Sequence, residues 1–154
     1  IRLLTPTFSQ KPNFLTVKEK DSLYCNGYGV HYNIDQNKTS LFDNSPIQSP
    51  KNIDILSRIL NSRIMDYYIK TTSVTIDGGY PCYQKNFIEL FTIPDIKEEK
   101  IHKMRNLKNQ EFEDELIKIY GLVRIGNHAF SNWIMGLTNE KGHFGNDRKV
   151  SKNL

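Results

Sequence analysis

The sequence predicts an α+β fold: a β-rich first half, one central amphipathic helix and a C-terminal helical segment. Three observations predict it. Residues 1–48 alternate strand-length apolar stretches with turn-forming clusters. Residues 53–70 place apolar side chains at helical spacing, and residues 97–120 are polar and helix-favouring.

The first half reads as short strands. Leu3-Leu4, Phe8, Phe14-Leu15-Thr16-Val17, Leu23-Tyr24-Cys25, Tyr28 to Tyr32 and Leu41-Phe42 are separated by Lys11-Pro12-Asn13, Lys20-Asp21-Ser22, Asn26-Gly27 and Asp35 to Lys38. Ser49-Pro50 then offers a helix start, a capping side chain followed by a proline tolerated in the first turn. Leu56, Ile59, Leu60, Ile64, Tyr67 and Tyr68 form one stripe over about residues 50–70, and that stripe has to be buried. A β-branched stretch, Thr71 to Ile76, is broken at Asp77-Gly78-Gly79. Tyr80 to Asn86 leads to Phe87-Ile88-Glu89-Leu90, and Phe91-Thr92-Ile93-Pro94 reads as a strand ending at proline. Further on, Ile101, Met104 and Leu107 form one helical stripe and Phe112, Leu116, Ile119 and Tyr120 another, with Asn109 dividing two helices and Gly121 as a stop. Residues 122–137 hold Phe130, Trp133, Ile134 and Met135, enough to dock a last short element, and disorder is expected beyond Gly142.

Composition excludes several classes. With 154 residues the chain supports one ordinary core, and its longest apolar runs are far too short to span a bilayer. No signal-peptide pattern opens it, so the cytoplasm is the default location. Ile1 at the start and the polar run at the end suit a piece of a longer polypeptide, or a trimmed complete one. A net charge of +4 is compatible with a polyanionic partner without requiring one, because the surplus is spread along the chain. Cys25 and Cys82 lack the paired spacing of a zinc site; free thiols are the simplest reading, a single disulfide the alternative. There is no glycine-rich phosphate loop and no nucleophile elbow, and His31, His102, His128 and His143 are scattered. Glu111, Glu113, Asp114 and Glu115 read as a solvated helix face near its start, where negative charge is favoured.

One ordered set of motifs points further. Leu60-Asn61-Ser62 is followed by Tyr67-Tyr68, then Thr71-Thr72-Ser73, Gly78-Gly79-Tyr80, Tyr83-Gln84-Lys85 and Ile93-Pro94 opening a helical segment. Thr5-Pro6-Thr7-Phe8, Lys11-Pro12-Asn13-Phe14 and Ile119-Tyr120-Gly121-Leu122 flank them. This order resembles the TaqI-like C-terminal specificity domain of adenine methyltransferases and type IIG restriction-modification enzymes, over about residues 2–122. The departures are Pro81-Cys82 after the glycine pair and Phe91-Thr92 before Ile93-Pro94; residues 123–154 match nothing in the pattern. The resemblance implies a recognition domain over 1–96, a helical segment over 97–122 and an extra tail over 123–154.

Its implied partner is double-stranded DNA, bound in a cleft shared with a methyltransferase domain of the same polypeptide. The family's Asn-Pro-Pro-aromatic motif is absent here, so S-adenosylmethionine and catalysis are expected in that other domain, with no cofactor, metal or catalytic residue in this one. The expected DNA contacts are the loop of about residues 71–86, through Thr71, Thr72, Ser73, Gly78, Gly79, Tyr80, Tyr83, Gln84 and Lys85, with Lys11 and Asn13 in the first turn. The alternative for that loop is a hairpin whose glycines turn and whose tyrosines pack. Arg58 and Arg63 read as a solvated face, with a phosphate contact as the alternative for either. Two other readings compete: a half-subunit of a type I specificity protein, which needs a sustained heptad over 97–120, and a protein-interaction module without nucleic acid.

Overall fold

The structure, a computed structural model, describes residues 1–19, 25–32, 45–76, 78–125 and 129–131. Strand β1 (Arg2–Pro6) lies between β2 (Leu15–Val17) and β3 (Gly27–Val30) in a three-stranded antiparallel sheet. Leu3 pairs with Thr16 on one side and Val30 on the other. Alternation along β1 sends Leu3 and Thr5 inward. Beyond this sheet the described residues hold only two-stranded pairs, so the first half is less β-rich than its composition suggested. Leu23-Tyr24 and Leu41-Phe42 lie outside the described residues, as do Trp133 to Met135 and the tail beyond Gly142.

Two 3-10 turns, Pro46–Gln48 and Pro50–Asn52, lead into α1 (Ile53–Leu60), and α2 (Arg63–Thr72) follows. The periodicity had suggested one continuous helix over 50–70; the structure breaks it at Asn61-Ser62. Asn61 leaves α1 with its amide turned to a distant strand. Its Oδ1 accepts from the Phe14 N–H at 2.8 Å and its Nδ2 donates to the Phe14 carbonyl at 2.9 Å. The Nδ2 also donates to Ser57 O at 2.9 Å. Ser62, itself buried, restarts the helix: its hydroxyl accepts from Met65 N at 3.3 Å. An asparagine that competes with the backbone and a serine that caps are the residue types able to make such a break.

The hairpin β4 (Thr75–Ile76) and β5 (Tyr80–Pro81) comes next, then the single turn α3 (Lys85–Ile88). The strand expected to end at Pro94 does not form; residues 85–88 are helical and 92–97 irregular. Helices α4 (Glu98–Arg105) and α5 (Asn109–Ile119) are separated at 106–108, and Lys100 of α4 ion-pairs with Glu115 of α5. The division expected near Asn109 is therefore present, and no heptad runs unbroken through 97–120. α5 ends as Gly121 requires. At φ 64° Gly121 turns the chain, its N–H reaches Lys118 O, and the Leu122 N–H reaches Ile117 O, each at 3.0 Å. These are the two bonds of a Schellman stop. An antiparallel pair, β6 (Val123–Ile125) and β7 (Ala129–Ser131), supplies the last short element.

One buried cluster contains Leu3, Phe14, Ile59, Ile64, Tyr68, Tyr83, Ile101, Met104, Leu116 and Leu122, so the sheet and both helix pairs share a core. Arg58 binds α1 to α4. Its Nη1 donates to Met104 O at 3.1 Å and its Nη2 to Leu107 O at 2.8 Å, while the guanidinium lies 3.9 Å from the Phe112 ring centre. It caps the open carbonyl end of α4 instead of facing solvent, which corrects the surface reading. Arg105 reaches both oxygens of Asp54, at 2.7 and 3.2 Å, and Asn52 Oδ1 at 2.8 Å. Cys25 is exposed and Cys82 buried, and both thiols are free.

Glu113 also departs from its expected solvated face. It is only partly exposed, and its carboxylate accepts from the Arg63 N–H at the start of α2, at 3.1 and 3.2 Å. Burial raises its pKa, outweighing the opposing Arg63 N–H.

Two stability outcomes follow from these contacts. Asn61→Ala leaves both Phe14 backbone groups without their partner and should cost about 1–2 kcal/mol, the amide being open to water on one side; unchanged urea unfolding would show that the clamp contributes nothing. The folded state holds the Glu113 proton more tightly than the unfolded chain does. Its stabilising contribution is therefore full below the ordinary glutamate range and is lost as pH rises through its raised pKa. Glu113→Gln keeps an acceptor for Arg63 without the charge, so its stability relative to the parent should rise as the pH is raised from the ordinary glutamate range through the raised pKa. Parallel unfolding curves at every pH would contradict this.

Candidate nucleic-acid interface

The two segments singled out from the sequence meet at one end of β1. Thr7 O accepts from the Tyr83 N–H at 2.7 Å, and Phe8 forms an antiparallel bridge with Cys82. The ring of Phe14 meets that of Tyr83 edge-on, with centroids 6.3 Å apart. The turn of residues 9–13 and the hairpin of 75–81 thus leave the same backbone ladder. Lys11 and Asn13 are exposed on the first, Thr75, Gly78, Gly79 and Tyr80 on the second, and Lys85 just beyond.

The hairpin tip is shaped by its glycines. Gly78 and Gly79 have φ 91° and 78°, a region that side chains resist, and the Gly79 N–H closes the turn on Ile76 O at 3.0 Å. Ile76 pairs with Tyr80 and Thr75 with Pro81. Tyr80 is 39% exposed and Val74 58%, so the hairpin carries apolar surface outward.

Several candidates fall elsewhere. Tyr83 is 0% exposed, so it cannot stack on a base; it is a core residue. Its hydroxyl is buried without a hydrogen-bond partner among the described residues, and burial together with the nearby Asp66 charge pushes its pKa upward. Thr71 and Thr72 belong to the last turn of α2, not to a loop. Thr71 donates to Tyr67 O at 2.8 Å and Thr72 to Tyr68 O at 2.7 Å, so their hydroxyl protons are already engaged. Ser73 ends α2, and its hydroxyl accepts from the Cys82 N–H at 3.2 Å, which ties the helix end to the hairpin.

Gln84 sits half-buried at the start of α3, its backbone carbonyl accepting from Phe87 and Ile88. Its side-chain amide makes no hydrogen bond among the described residues. Lys85 stands 3.9 Å from Glu89, both exposed, a pairing of little energetic weight. Lys70, paired with Asp66 at 2.7 Å, adds another exposed ammonium on α2. The exposed members of the original set are therefore Lys11, Asn13, Thr71, Gly78, Gly79, Tyr80 and Lys85, with Gln84 half-buried.

Sequence reasoning missed Asn61 as an organiser of this end, and Arg58 as the cap of α4. A signal was present for the first: a helix-disfavouring asparagine before a capping serine, in the middle of an otherwise helical stripe. A shallow cavity of about 190 Å³ lined by Ile1, Arg2, Val17, Lys18, Glu19 and His31 opens at the opposite end of β1 from Thr7. Among the described residues no group of three or more His, Cys, Asp or Glu side chains could hold a metal ion, and no helix is long and apolar enough to cross a membrane.

No family model, no curated protein and no solved structure matches this chain.

Tyr83→Phe removes a buried hydroxyl that lacks a partner, so it should leave stability unchanged or raise it by up to about 1 kcal/mol. A loss of more than that in denaturant unfolding would mean that the hydroxyl has a structural role.

Proposed function

We propose that this chain reads a short sequence in double-stranded DNA, as the specificity part of a restriction-modification adenine methyltransferase. The observation that carries the reading is the convergence of the 9–13 turn and the 75–81 hairpin on one backbone ladder, with exposed lysine, amide and tyrosine groups projecting from a rigid scaffold. Rigid placement matters because base readout depends on donor and acceptor positions, whereas phosphate contacts only set register.

In this reading Lys11 and Lys85 bind phosphates and provide the salt-dependent share of the affinity. Gln84 and Asn13 carry amides, whose paired donor and acceptor suit an adenine edge. Gly78 and Gly79 let the hairpin backbone approach the duplex, and Tyr80 lies flat against sugar or base. Methyl transfer, its S-adenosylmethionine and the flipping of the target adenine belong to a methyltransferase domain of the same polypeptide, so this chain itself is a recognition module and not an enzyme. The chain alone forms one wall of a cleft, which makes its binding weak and strongly salt-sensitive.

Fluorescence anisotropy with labelled duplexes across a salt series tests this. Changing Gln84 and Lys85 together to alanine should weaken binding while the fold, followed by melting, stays intact. The lysine should account for a reduction of about 1 in the slope of log K against log salt. Unchanged affinity and unchanged slope with unchanged melting would remove the segment from the interface.

A further inference from the structure

We infer that Asn26-Gly27 is a self-modifying site, at which the Asn26 side chain condenses with the Gly27 backbone and is then hydrolysed to aspartate and isoaspartate. The proposal is independent of DNA binding. Asn26 is exposed and holds φ 55°, the one non-glycine residue in the left-handed region among those described. Asparagine is among the few side chains that tolerate that conformation. Gly27 is equally constrained, because a Cβ there would lie 2.5 Å from Thr5 O. The turn into β3 thus calls for asparagine followed by glycine, and the missing Cβ leaves nothing to shield the Gly27 nitrogen from the neighbouring carboxamide.

The carboxamide itself is held lightly. Asn26 Oδ1 accepts from the Thr7 hydroxyl at 3.3 Å, and its NH₂ has no partner among the described residues. The single Thr7 hydroxyl proton is shared with the Asn26 backbone carbonyl, the nearer acceptor at 3.0 Å, so it restrains the side-chain amide little. Asn61, followed by Ser62, is the internal contrast: its amide makes bonds of 2.8, 2.9 and 2.9 Å to the Phe14 and Ser57 backbone. The steps balance with water as the only co-reactant. The Gly27 nitrogen bonds to Asn26 Cγ and gives up its proton, and ammonia leaves, closing a succinimide. Water then opens either carbonyl of the ring.

The isoaspartyl product lengthens the main chain by one carbon between residues 26 and 27. The Asn26 carbonyl now accepts from the Thr7 N–H at 3.1 Å and from its hydroxyl at 3.0 Å, and Thr7 O in turn holds Tyr83. The lesion would therefore loosen the joint from which the 9–13 turn and the hairpin emerge.

The test is to age the full chain at mildly alkaline pH and map the peptides by mass spectrometry, scoring acid and isoaspartyl forms at each asparagine. Position 26 should convert at least about tenfold faster than Asn61, the ratio expected from two additional hydrogen bonds to break. The melting temperature should fall with conversion. Asn26→Gly, which keeps the positive φ and has no amide, should age without that fall. Equal conversion at 26 and 61, or a variant that loses melting temperature as fast as the parent, would overturn the proposal.

Discussion

The end of this protein at which the 9–13 turn and the 75–81 hairpin meet depends on the pair of hydrogen bonds between the Asn61 side chain and the Phe14 backbone. Phe14 enters β2 directly after the Lys11-Pro12-Asn13 turn, so anchoring its backbone fixes where that turn leaves the sheet. Its ring meets Tyr83, and the Tyr83 backbone bonds to Thr7. A carboxamide suits this position because it offers one donor and one acceptor at the spacing of a peptide group, and so completes a strand edge as another strand would. The same side chain ends α1, and Ser62 starts α2 at once. A helix break and a tertiary clamp are thus one feature.

A second set of contacts holds the helical half. Arg58 spans from α1 to the carbonyl end of α4 and stacks on Phe112 of α5. Glu113 of α5 closes the amino end of α2. Both are charges placed against helix ends of opposite polarity, where the unpaired backbone groups collect. Burial disfavours the charged form of both, lowering the Arg58 pKa and raising that of Glu113. The helices after residue 96 therefore share the core of the preceding residues, and cannot be peeled away without exposing Ile101, Met104 and Leu116.

The candidate surface comes from the same economy of parts. The threonines that end α2 spend their hydroxyls on helix carbonyls, and Ser73 spends its own on the hairpin. What reaches solvent is the glycine tip, Tyr80, and the lysines at either side. Tyr80 and Tyr83 show how residue type alone misleads: both are large amphipathic rings, suited equally to a core and to an interface. The pairing of Phe8 with Cys82 turns one outward and leaves the other inside.

Local physics was legible in the sequence. Apolar spacing located α1, α2, α4 and α5, Gly121 ended the last helix, and Gly78-Gly79 marked the tight turn, because each is decided by neighbours within a few residues. The α+β class followed from the same signals, although strand content was overstated where β-branched residues finish a helix instead. The break at Asn61, the capping role of Arg58, the buried Glu113 and the opposite fates of Tyr80 and Tyr83 required the folded chain. Their partners lie far off in sequence, 47 residues away for Asn61 and 50 for Glu113. Hydrogen bonding and burial at that range are properties of how elements pack, and periodicity along the chain carries no record of them.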